Sequence, residues 1–179
     1  LLEYYRVGGW LPNGPPGVEY CDIMGAQHEI PLMVSAYQKG IRNYDVDKAY
    51  EAVKKTLTTQ GTALSSGGIV GNRHLDVYLK YGFVPYGEKS HHNVFGTTYE
   101  GPTSNTLEYA FDDWNAAQFA KALGYEEDYD YFTRRAYNYK NVFDSETKYV
   151  RPKYSDGTWM PDFEPINKDE HSTSWSWLG

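Results

Sequence analysis

From Thr106 to Gly124 the chain reads TLEYAFDDWNAAQFAKALG, and this stretch has the form of one continuous helix with Gly124 as its C-terminal stop. Asn105 and Glu108 stand at capping-box spacing, which puts the N-terminus of the helix at Asn105. Glu108 and Asp112 are four residues apart and share a face, and Asn115 and Gln118 continue the same polar stripe. Leu107, Phe111, Trp114 and Ala117 form an apolar stripe beside it, extended by Phe119, Ala120 and Leu123. The helix is therefore expected to be mostly buried, with one polar side that includes Asp113 among its crowded acids.

Two readings of those acids are open. Like charges at this spacing repel by roughly a few tenths of a kcal/mol, whereas acids in the first turns gain about 0.3–1 kcal/mol from the helix dipole. Dipole placement alone can account for them. The alternative is that they line a cavity for a polyol, which the flanking aromatic rings suit.

Further helices are legible on either side. IPLMVSAYQKGI, from Ile30 to Ile41, places Leu32, Met33, Ala36 and Tyr37 at helical spacing, so a buried helix is predicted. Asp45 or Asp47 caps a second one, with Ala49, Val53 and Leu57 as its stripe. HLDVYLKYG is a short helix or turn ending at Gly82, and Glu126 to Val142 is a further helix, carrying Tyr129, Phe132, Ala136 and Tyr139 on one side. FDSETKYVRPKYSDGTWMPDFEP has the alternation and turn residues of a hairpin or extended loop. Residues 1 to 27 read as loop punctuated by Gly and Pro with at most one short strand, and the segment GTALSSGGIVGN reads as a Gly/Ser loop.

Composition narrows the function classes. The chain has 179 residues, a net charge of −7 and scattered Lys and Arg, so no basic footprint for nucleic acid exists. No run of about 18 apolar residues occurs to span a membrane, and LLEYYRVGGW has neither the basic head nor the apolar middle of a signal peptide. Cys21 is the single cysteine, which excludes an internal disulfide and a cysteine-based zinc site. His91 and His92 are adjacent and point apart, so a solvated loop is the expected setting. Tyr is abundant, 18 residues in all, and rings with a polar edge suit both helix packing and stacking on sugars.

Several stretches, in order, resemble the catalytic domain of glycoside hydrolase family 92, the calcium-dependent, inverting exo-α-mannosidases. They are GGWLPNG, MGAQHEIPLMVSAYQKGI, SNTLEYAFDDWNAAQFAKALG, RRAYNYKNVFDSETKYVRPKYSDGTW and STSWSW. The resemblance implies an all-α fold, part of an (α/α)6 helical toroid with long irregular loops. It also implies that residues 1–179 are a single segment of that domain, incomplete on the C-terminal side. The implied partners are a mannose-containing glycan and the remainder of the catalytic domain or a completing chain, with an extracellular or periplasmic location.

Carried over residue by residue, the resemblance is uneven. The family's general acid sits four positions before a Trp that corresponds to Trp175. That position is His171 here, and its neighbour Glu170 is the candidate acid. The family's Gly-Asp-His-Ala segment corresponds to Ala26, Gln27, His28 and Glu29, so Gln27 and His28 are candidate sugar-binding residues together with Glu108, Asp112, Asp113 and Trp175. Gln27 replaces an aspartate and Ser35 replaces another. The base and the Ca2+ ligands belong to family motifs expected outside this chain, with no metal ligand inside it. The alternative is a catalytically inactive relative that binds glycans or serves as a structural surface protein.

Overall fold

The computed structural model describes residues 1–14, 20, 25–65, 68–88 and 101–164. Regular structure among them is almost entirely helical: α1 (Leu2–Gly8), α2 (Glu29–Gln38), α3 (Val46–Thr58), α4 (Leu75–Tyr81), α5 (Pro102–Leu123), α6 (Glu126–Ala136) and a 3-10 turn (Tyr137–Val142). Between α3 and α4, β1 (Thr62–Ala63) and β2 (Ile69–Val70) make a short antiparallel hairpin, pairing Thr62 with Val70 and Ala63 with Ile69. After the 3-10 turn, isolated antiparallel bridges join Phe143 to Val150 and Lys153 to Trp159, the hairpin-like segment expected there.

Local chemistry sets most boundaries. Asp45 caps α3, its carboxylate accepting the Lys48 backbone N–H at 2.9 Å, and the stripe Ala49, Val53, Leu57 behind it is fully buried. Asp45→Ala is expected to cost about 1 kcal/mol, read as a lowered denaturant midpoint, while Asp45→Asn keeps most of it. An unchanged midpoint for the alanine variant would show that the cap contributes nothing. Gly124 closes α5 in the left-handed conformation, at φ 82°, where a side chain would be strained.

Several expectations are corrected. Leu2–Gly8 is helical rather than loop: Tyr5 buries its ring, Glu3 pairs with Arg6 one turn on, and Gly9 supplies the left-handed cap. Asn105 and Glu108 do not form a capping box, because α5 begins earlier, at Pro102. Proline needs no acceptor for a first-turn N–H and its φ is already helical. Leu32 lies on the outer side of α2 and is exposed. The predicted helix 126–142 tightens at Tyr137 into the 3-10 turn, which carries Tyr139 out of register with buried Phe132 and leaves it exposed.

The largest correction concerns α5. Phe111 and Trp114, read as apolar stripe, are 47 % and 51 % exposed, whereas Asp112 and Asp113 are fully buried. Ala117, Phe119 and Ala120 are buried as expected, and Ala110 and Ala116 join them on the inward arc, where the alanines let α5 lie close against α2, α3 and α6. One apolar cluster ties Ile30, Val34, Val53, Leu57, Phe119 and Phe132 together. A second, around Leu75, Tyr78, Val84 and Tyr109, seats α4 on the first half of α5.

Candidate functional site

Two buried acids on one helix require partners, and α5 sends them to different places. Asp113 receives the Tyr78 hydroxyl at 2.9 Å and the Arg135 Nε–H at 3.1 Å on the same oxygen. Arg135 Nη2 approaches its other oxygen at 2.7 Å, as an ion-pair contact rather than an aligned hydrogen bond. Burial lifts the Asp113 carboxyl to about 7, with the Arg135 charge and the Tyr78 hydroxyl pulling against it. This carboxylate is committed to joining α4, α5 and α6.

Asp112 faces the segment before α2. Its Oδ2 accepts the Gln27 backbone N–H at 3.0 Å, and Gln27 Nε2 donates in turn to the Gly71 carbonyl oxygen at 3.3 Å. Oδ1 of Asp112, Oε1 of Gln27 and both polar side-chain atoms of Asn72 are buried and hold no hydrogen bond among the described residues. Gly25 lies flush against α5: a Cβ there would stand 2.5 Å from Asn105 Oδ1. Thus α5, the start of α2 and the loop after β2 converge on one polar wall.

The electrostatics of this wall favour a neutral carboxyl. Burial pushes Asp112 well above the usual carboxylate range, the Gln27 N–H pulls it back, and the negative charges of Glu29, Asp113 and Glu108 add to the rise. Glu108 is half-buried and also raised, by burial, with His28 opposing the shift. His28 itself is exposed at the head of α2. His28 and Glu108 reach the surface of this wall and can exchange hydrogen bonds with hydroxyl groups, whereas Gln27 and Asp112, expected as sugar contacts, are fully buried behind them.

The sequence-predicted residues therefore divide. Gln27, His28, Glu108 and Asp112 come together, and Asp113 turns away to Arg135. Glu170 and Trp175 lie outside the described residues, as do His91 and His92. Glu29, Asn72 and His74 were not singled out from sequence. Glu29 adjoins the Gln27-His28 pair and was within reach of that segment. His74 is buried and its imidazole is pushed down to about 4, first by burial and then by Arg73. Its setting, like that of Asn72, depends on a loop whose sequence signals only flexibility. Among the described residues no three His, Cys, Asp or Glu side chains are grouped to hold a metal ion, and no helix is long and apolar enough to cross a membrane.

Known proteins share this arrangement of helices. An inverting mannosidase of family 92 from Bacteroides thetaiotaomicron superposes with a TM-score of 0.77 at 29 % identity, covering 93 % of this chain and 21 % of that one. A second family 92 α-mannosidase from the same organism, in complex with mannoimidazole, gives 0.64 at 33 % identity, over 80 % of this chain and 16 % of its own. Among curated proteins, an uncharacterized secreted glycosidase of Arthroderma benhamiae is 28 % identical over 172 residues, 89 % of this chain and 21 % of that protein. The chain thus spans about a fifth of the length of these relatives, and its all-α fold is a portion of their helical toroid. Residues 1–178 match the glycosyl hydrolase family 92 catalytic domain, and the chain belongs to that glycoside hydrolase family.

Proposed function

We propose that the protein containing this chain is an exo-α-mannosidase that removes terminal α-linked mannose from glycans outside the cell or in the periplasm, by an inverting, calcium-assisted mechanism. The observation that carries this reading is the family match running unbroken over residues 1–178. Inversion needs one carboxylic acid to protonate the leaving oxygen and one carboxylate to activate water on the opposite face of the ring. Glu170 is the acid assigned in this chain. The base, and the oxygen ligands that a hard cation such as calcium requires, fall to the remainder of the catalytic domain. The part of this chain is to bind and orient: the His28 imidazole and the Glu108 carboxyl face hydroxyls of the sugar, with the fully buried Gln27 amide behind them and Trp175 as a further contact.

Gln27 favours a second reading, glycan binding without hydrolysis, because an amide offers hydrogen bonds and carries no charge. Assay of the full-length protein on α-mannobiose separates the two. Release of mannose as the inverted anomer, falling about tenfold or more with a calcium chelator, is the expected result. Release indifferent to chelation would remove calcium from the reading, and binding without release would leave the non-catalytic relative.

A further inference from the structure

We infer that Asp112 is a positioning residue that sets the place of Gln27 and His28 from behind, through the Gln27 backbone, rather than by touching the sugar. This rests on the reading of His28 as a sugar contact, with Gln27 fully buried beside it. Asp112 is fully buried, and one of its oxygens is spent on a single long-range contact, the 3.0 Å bond from the Gln27 N–H. That N–H needs such an acceptor. Gln27 lies just ahead of α2, and its own carbonyl oxygen accepts the Ile30 N–H at 2.9 Å, while its N–H, buried and outside the helix ladder, must find an acceptor elsewhere.

The rest of the segment has little stiffness of its own. Gly25, two residues earlier, sits at φ 72°, a conformation glycine enters freely and leaves as freely. The Gln27 side chain adds a longer bond, to the Gly71 carbonyl oxygen at 3.3 Å. Asp112 therefore fixes the backbone from which the Gln27 amide and the His28 imidazole project, and Gly71 fixes one end of that amide. Its Oε1 is left uncommitted.

The test uses the full-length protein. Asp112→Ala is expected to raise KM about tenfold with kcat within about threefold, since misplacing a substrate-holding segment weakens binding more than it alters the reacting groups. Asp112→Asn, whose carbonyl oxygen can accept the same N–H, is expected to restore KM. Gln27→Ala combined with Asp112→Ala is expected to raise KM no further than the larger single effect, because the two act as a unit. An unchanged KM in Asp112→Ala, additive effects in the pair, or failure of Asp112→Asn to rescue would each overturn the inference.

Amide hydrogen exchange supplies a readout free of activity and, in the wild type, of any variant. The Gln27 amide is expected to exchange about a hundredfold more slowly than an open loop amide; exchange at loop rates would overturn the anchor even if Asp112→Ala failed to fold. Should the wild type release no mannose, the mannosidase reading falls while slow Gln27 exchange still supports the anchor, so the two failures are told apart.

Discussion

Arg135→Ala is expected to cost about 3–5 kcal/mol, because it strands a fully buried carboxylate that has no other cation among the described residues. The guanidinium does more than neutralise Asp113. Its Nη1 also donates to the Leu57 carbonyl oxygen at 2.9 Å and to the Tyr131 hydroxyl at 3.1 Å, so it closes one of the carbonyls left open at the end of α3. The loss should grow with pH. Asp113 is raised in the fold to about 7, against about 4 for an ordinary aspartate. A raised acid contributes stability below its unfolded pKa and loses that contribution as pH climbs through its folded one. Without Arg135 the folded value rises further, so the gap between variant and wild-type midpoints is expected to widen as pH climbs through about 7. A constant gap would mean that the substitution removed packing and not charge. Asp113→Leu combined with Arg135→Met should recover much of the loss, since replacing both members of a buried pair is far milder than removing one.

That ion pair also marks where sequence reasoning stopped. Asp112 and Asp113 are neighbours in TLEYAFDDW, and helical spacing puts both on adjoining arcs of α5. Spacing cannot say which arc faces inward, because Phe111 and Trp114 offer a plausible apolar stripe on the outside. The choice was made by tertiary partners: Arg135 from α6, Tyr78 from α4 and the Gln27 N–H ahead of α2 satisfy the acids inside, while runs of alanine let the helices approach. Elements whose pattern agreed with their setting were legible. The Asp45 cap, the Ala49, Val53, Leu57 stripe and the glycine stops at Gly82 and Gly124 are local features that packing did not need to override.

The candidate site was legible only through resemblance. Gln27 and His28 stand out as a departure and a match within a known segment, and nothing in periodicity or charge would have selected them. Their convergence with Glu108 and Asp112 comes from contacts over 85 residues of chain, beyond any local signal. Asn72 and His74 were invisible for the same reason, since a Gly/Ser loop announces a turn and not what the turn is folded against.

Phe119→Ala is expected to be as damaging as loss of Arg135, about 3–5 kcal/mol, for a different reason. Phe119 has no exposed surface, and its ring lies 5.1 Å from that of Tyr37 in α2 and 5.6 Å from that of Tyr50 in α3, the latter edge-on. Each such pair contributes about 0.5–1.5 kcal/mol beyond the area it buries. The cavity left by alanine would open between three helices, and each is held elsewhere. Tyr50 donates its hydroxyl to Asp128 at 2.7 Å, and Arg42 lies 4.2 Å over the Tyr37 ring. Neither tyrosine can therefore swing in without breaking another contact, so the site collapses poorly and the cost should fall toward the upper end. Phe119→Leu, which keeps most of the volume, should cost about 1–1.5 kcal/mol. Measured in the full-length protein, hydrogen exchange should quicken together in α2 and α3 for the alanine variant. Faster exchange confined to α5 would show that Phe119 holds its own helix and not the junction of the three.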